Sequence, residues 1–180
     1  MLALAACLAF IVGCDIGVNP LLFDGAPVDV TFDVNTTGNA YSGLTTVDLS
    51  EVFEKIGNEI DSVKIFNITV QVETTEVTPG TTILNGFASA GGNTIITLHD
   101  LPLSSVKTER SIFDTTITGF ELNTAGVQSL VDAIRAASED RGNSHPIDFA
   151  VAGTASNSPG SPLQMKVHFK VYTQVFTEPK

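Results

Sequence analysis

Apolar and polar residues alternate along much of this chain. From Ala26 onward, Val28, Val30, Phe32 and Val34 share one parity while Asp29, Thr31 and Asp33 share the other. That period of two predicts a strand with one buried face. Thr36–Ser42 is polar and reads as a loop. Asp48 stands three residues before Glu51, the spacing of a helix-capping pair, and Leu49, Val52, Phe53 and Ile56 follow at helical spacing up to Gly57. The pattern predicts a short amphipathic helix of about eight residues there.

Ile60–Glu73 changes phase within itself. Val63 and Ile65 lie on one parity, whereas Phe66, Ile68, Val70 and Val72 lie on the other. A one-residue slip in an otherwise regular strand predicts a β-bulge at Ile65–Phe66, or a strand covered on both faces. Thr78-Pro79-Gly80 marks a turn. Thr82–Ser89 and Thr94–His99 read as a hairpin joined across Ala90-Gly91-Gly92-Asn93. Pro102–Arg110 reads as a loop, and Ile112–Leu122 as a strand interrupted at Gly119.

A second, longer helix is predicted after Asn123 or Thr124, with Val127, Leu130, Val131, Ile134 and Ala137 as its apolar stripe and Gly142 as its stop. Pro146–Gly153 is a strand with Ile147, Phe149 and Val151 inward, and Ala155–Pro162 is a Ser/Pro/Gly loop. Leu163–Thr177 alternates for its whole length. Leu163, Met165, Val167, Phe169, Val171 and Val175 form one face, and Lys166, His168 and Lys170 stand on the other. The predicted class is mainly β: an antiparallel β-sandwich, Ig-like or jelly-roll-like, of about seven or eight strands with two short inserted helices. Continuous apolar runs alternating with helices are missing, which argues against a parallel doubly wound sheet. The sequence shows no internal repeat.

The first residues add an address. Leu2–Val12 is an uncharged, mostly apolar run of eleven residues, followed by Gly13 and Cys14 and then by an acidic, polar sequence from Asp15. As a helix that run would rise only about 16 Å, too little for a bilayer core but right for a signal-peptide core. Ile11-Val12-Gly13-Cys14 resembles the lipobox of bacterial lipoproteins: a branched apolar residue, a permissive one, a small one, then cysteine. The resemblance implies that Cys14 is diacylated, becomes the first residue of the mature chain and serves as its lipid anchor. Such leaders begin with a basic residue, whereas here the first is Lys55. The resemblance stops at Cys14 and implies nothing about the domain behind it. The expected organisation is a signal peptide over 1–14, a tether over 15–25 and a β-sandwich domain over 26–180. Leu21, Leu22 and Phe23 are too apolar for a free tether and are expected to dock on the domain or on a neighbouring copy.

Composition narrows the chemistry. The net charge of −11 all falls after the leader, which argues against nucleic acid or anionic headgroups as partners. Both cysteines precede Asp15, so the domain itself has no internal disulfide and no cysteine-based metal site. Nucleophile-elbow, phosphate-loop, dinucleotide and zinc-protease motifs are absent. His99, His145 and His168 read as surface residues. Asp29 and Asp33 share a strand face but stand about 13 Å apart, farther than glycosidic acid–base pairs. Asp33-x-Asn35-x-Thr37-Gly38 matches the start of a calcium loop, yet its twelfth position is Leu44 instead of a glutamate. Asp33, Asn35 and Thr37 therefore stand as weak metal candidates against an ordinary turn.

These residues favour a non-catalytic lipoprotein of the cell envelope, without cofactor, held to the membrane through Cys14 and binding a protein or glycan through loops at one end of the sandwich. The alternative is a structural subunit of a surface assembly, in which Leu21–Phe23 or the long last strand completes a neighbour's sheet. A hydrolase is a third option, and would need a pocket joining a histidine to a carboxylate and a hydroxyl.

Overall fold

The computed structural model describes residues 21–24 (backbone only), 27–53, 60–74, 82–140, 142–156 and 163–177. The leader, Cys14 and residues 15–20 of the tether lie outside the described residues, as do Ile56, Gly57 and the Thr78–Gly80 turn.

Ten strands are present among the described residues: β1 (Leu21–Asp24), β2 (Val28–Thr36), β3 (Ala40–Asp48), β4 (Ile60–Thr74), β5 (Ile83–Ala90), β6 (Asn93–Pro102), β7 (Arg110–Ser111), β8 (Phe120–Leu122), β9 (Pro146–Ala155) and β10 (Leu163–Thr177). All pairings are antiparallel, in two five-stranded sheets. In the first sheet β10 is the centre, with β2 and β1 end to end along one side and β4 then β7 on the other. The second sheet runs β3-β9-β5-β6-β8. Their facing sides form one core, where Val28, Val30, Phe32, Val34, Phe149, Val151, Phe169 and Val171 meet. The expected sandwich is the fold.

The strands with the cleanest alternation are the ones whose inner faces make that core. β2 buries every apolar position and leaves Asp29, Thr31 and Asp33 outside. β10 alternates likewise over fifteen residues, burying every odd-numbered side chain from Leu163 to Thr177, so its side chains divide between core and outer face at every step. The hairpin between β5 and β6 turns on Gly91 and Gly92, with φ of 55° and 77°. Two successive left-handed residues are what a tight twisted hairpin requires.

The sandwich is closed differently on its two sides. On one, β2 passes into β3 across the corner, and the Thr45 hydroxyl donates to the Thr31 carbonyl at 3.3 Å. On the other, α1 (Thr124–Glu139) bridges β4 and β6. Asn123 caps it, accepting from the N–H groups of Ala125 and Gly126 at 3.1 Å each. Leu130, Ile134 and Ala137 of the expected stripe are buried. The helix comes so close to β6 that a Cβ on Gly126 would stand 1.7 Å from the Thr94 carbonyl oxygen.

Several local expectations are corrected. The helix expected from Leu49 is a four-residue 3-10 turn, Leu49–Val52. Asp48 caps it as its spacing suggested, but Phe53 closes back onto the Ser50 carbonyl. Leu49, Val52 and Phe53 are buried by that single turn, so i, i+3, i+4 spacing served one turn and not a helix. Only one α-helix is therefore seen among the described residues, not two. The loop expected at Thr36–Ser42 gives way to β3 at Ala40. Within Ile112–Leu122 only Phe120–Leu122 is strand. The Asp114 carboxylate accepts from the N–H and hydroxyl of Thr116, at 2.9 and 2.6 Å, and that side-chain turn competes with a sheet ladder. In the Pro102–Arg110 loop, Leu103–Val106 forms a second 3-10 turn with both end residues buried. Helix α1 ends at Glu139, ahead of Gly142.

Candidate functional site

The strongest concentration of built polar and aromatic chemistry is the outer face of the first sheet. Even-numbered residues of β10 point outward there: Lys166, His168, Lys170, Tyr172, Gln174 and Phe176. Register sets their neighbours. Lys166 lies between Asp33 and Glu73, His168 between Thr31 and Gln71, and Lys170 between Asp29 and Thr69. Asp33 and Asp29 come from β2, and Glu73, Gln71 and Thr69 from β4, so opposite charges face across the ladder.

One half of this face is a charged lattice. Lys166 Nζ stands 3.7 Å from Asp33 Oδ1, and Lys170 Nζ stands 4.0 Å from Asp29 Oδ2 and 3.5 Å from Glu109 Oε2. Glu109, just ahead of β7, is the hub. Its Oε1 accepts from the Tyr172 hydroxyl at 2.6 Å and from the Thr69 hydroxyl at 2.7 Å. The Tyr172 hydrogen bond is the first reason that the Glu109 carboxyl is held below the usual range, with the Thr69 bond next. The Glu109 charge in turn raises Lys170, and accepting its hydrogen bond raises Tyr172.

The other half is aromatic. Tyr172 pairs with Asn67 and Thr173 with Ile65, so Phe66 is the extra residue of a bulge. The slip expected at Ile65–Phe66 is there. Its consequence differs from a simple change of parity, because Phe66 turns outward and is 49% exposed while Ile68 and Val72 stay in the core. Phe66 and Tyr172 have ring centroids 5.8 Å apart at 52°. Nearer the strand's end, Lys64 Nζ stands 4.9 Å from the Phe176 ring centroid, a cation–π distance.

The residues singled out by sequence fall into place as follows. Asp33, the first weak metal candidate, is on the solvent face of β2 beside Lys166. Asn35 follows it on the same strand, and at the strand's last residue the Thr36 hydroxyl accepts from the Gly38 N–H at 3.2 Å, an ordinary side-chain turn that includes Thr37. Among the described residues no group of three or more His, Cys, Asp or Glu side chains is placed to hold a metal. His99 Nε2 lies 2.8 Å from Glu121 Oε2, with both side chains exposed. His145 Nε2 lies 3.1 Å from the Asp140 carbonyl oxygen. Asp48 accepts from the Ser144 hydroxyl and the His145 N–H as well as from Ser50, which holds its carboxyl far below the usual range and ties the β9 approach to the 3-10 turn.

His168 is the one histidine joined to both a hydroxyl and a carboxylate. Its Nδ1 is 3.1 Å from Thr31 Oγ1 and its Nε2 is 3.6 Å from Glu73 Oε2. That row lies flat across three strands. Backbone N–H groups of the central strand face β2 and β4 in the ladders, so they are not available as an oxyanion hole above it. The space between the sheets is a hydrocarbon-lined cavity of about 30 Å³ and does not reach His168. The groove beside α1 includes Ser129, Ser144 and His145 but neither Glu73 nor Thr31.

Phe66, Lys64, Tyr172, Phe176 and Glu109 were not singled out as site residues by sequence. The phase slip was the one available signal, since bulges re-aim side chains. No family model matches the chain, and no curated protein matches it. Among solved structures, a decameric BFDV capsid protein is similar at 11% identity, with a TM-score of 0.30 and a match covering 86% of this chain and 99% of that one.

Proposed function

We propose that the protein is a non-catalytic lipoprotein of the bacterial cell envelope, anchored by an acylated Cys14, that holds a protein or glycan partner at the end of the sandwich away from the anchor. The observation that carries this reading is Ile11-Val12-Gly13-Cys14 at the end of a short apolar run, only seven residues ahead of the first strand. The sandwich supports it as a self-sufficient domain whose core needs no disulfide. The charged lattice of Asp33, Lys166 and Glu73 lies toward the end opposite Leu21, beside the turn between β2 and β3, and offers directional polar contacts to a partner.

The assembly alternative named two elements for strand exchange, and both are already used within the chain. Leu21–Asp24 pairs with Gln174–Thr177, and β10 is flanked on both sides. Exchange through them would require breaking the first sheet. Radiolabelled palmitate fed to expressing cells tests the proposal: the wild-type chain is expected to be labelled and membrane-bound, and Cys14→Ala unlabelled and soluble. An unlabelled wild type would end the anchor reading.

A further inference from the structure

We infer that the aromatic half of the first sheet's outer face, carried by Phe66, Tyr172 and Phe176 with Lys64, lies against the interfacial zone of the lipid bilayer. The inference rests on the Cys14 anchor proposed above and adds an orientation to it.

Chain length supplies the first argument. Leu21 follows Cys14 by seven positions, a reach of about 25 Å at most. Leu21 pairs with Thr177, and Ile60 pairs with Thr177 from the other side. A lipid on Cys14 therefore brings this end of the first sheet, and not the end at Leu163 and Thr36, close to the bilayer.

Polarity supplies the second. Along the outer face, Lys166, His168 and Lys170 with their carboxylates occupy the far end, and the aromatic side chains occupy the end where the anchor enters. Phe176 sits one residue from Thr177, and Tyr172 lies about 13 Å farther along the strand. Aromatic rings with a basic residue at their margin are the side chains that settle at headgroup depth, the ring toward the chains and the ammonium toward phosphate. The Tyr172 hydroxyl, held by Glu109, marks where the charged lattice begins and hence how far the face can sink. Phe113, 42% exposed, follows β7 at the edge of the same sheet, whereas Leu44, 70% exposed, and Phe87, 41% exposed, lie on β3 and β5 of the second sheet. The overall charge of −11 disfavours anionic lipid, so the surface in question is zwitterionic.

The chain has no tryptophan, which permits single-site probes. Full-length lipidated Phe66→Trp, Phe176→Trp and Leu44→Trp proteins would be placed in phosphatidylcholine vesicles with and without brominated acyl chains, after palmitate labelling and an unchanged unfolding midpoint are verified for each. Phe66→Trp and Phe176→Trp are expected to lose about half their emission to the bromines and Leu44→Trp almost none. Labelled protein with all three probes equally quenched, or none quenched, overturns the inference while leaving the anchor intact. So does a blue shift of Phe66→Trp that grows with protein concentration without vesicles, since a second copy would then cover the face, or one that appears only with soluble glycan. Loss of palmitate label is read separately and counts against the anchor.

Discussion

The two halves of β10 teach different things about one strand. From Leu163 to Val171 its inner side chains are all apolar and its outer ones join the ion pairs and hydrogen bonds with β2, β4 and Glu109. From Tyr172 to Thr177 the partner changes from β2 to β1, the outer face becomes aromatic, and the inner face includes Thr173 and Thr177. Both threonines are fully buried, and neither hydroxyl finds a hydrogen-bond partner among the described residues. A buried, unpaired hydroxyl costs free energy that a methyl would not. The first half is built as a stability element on both faces. The second departs from that on both, so packing alone does not account for its side chains.

The contrast can be broken most directly at Phe169. It is buried against Phe149, with centroids 6.1 Å apart, and Phe169→Ala is expected to cost about 4 kcal/mol in chemical denaturation. A loss under 1 kcal/mol would show that the first half is not the better-packed one. Thr173→Val should move the other way. It keeps the shape and removes the unpaired hydroxyl, so a gain of about 1 kcal/mol is expected, and a loss would mean that the hydroxyl has a role the contrast denies it.

Acid titration separates the halves by charge. Glu109 has its pKa lowered in the fold, so its contribution to stability is present above the unfolded carboxylate range of about 4 and is lost as pH falls through the lower folded value. Glu109→Gln should therefore be less stable than the wild type at neutral pH and should lose less on going to strongly acidic pH. Parallel pH profiles for the two proteins would remove Glu109 as the hub of the charged half. The smallest effect belongs to the aromatic half: Phe66→Ala and Phe176→Ala are expected to shift stability by no more than about 0.5 kcal/mol. Unfolding midpoints that drop as far as that of Phe169→Ala would make these rings structural.

How much of this was legible in the sequence follows from where each feature's cause lies. β2 and β10 were readable because large apolar residues fill every second position of β2 and of β10 as far as Val171, and α1 because Leu130, Ile134 and Ala137 fall on one stripe behind an Asn cap. β3 was missed because its inward positions include Tyr41 but also Gly43 and Thr45, too small or polar to raise the period above its surroundings. The Ile112–Gly119 segment misled in the opposite sense, with apolar residues spaced like a strand but turned by Asp114. For the candidate site, parity placed Lys166, His168 and Lys170 on one face. It could not name their partners, since register between strands far apart in the chain is decided by the whole sandwich. The slip at Phe66 was visible, but which of two residues would leave the ladder was settled by pairing with Tyr172.

The position of β10 also governs timing. β2 and β4 do not touch as neighbours in the sheet; each waits for a strand made much later in the chain, and the Thr31–His168 contact spans 137 positions. Such separations slow the final closure of a chain. During translation the first sheet thus lacks its middle until β10 emerges, and the inner edges of β2 and β4 stay unpaired for that interval.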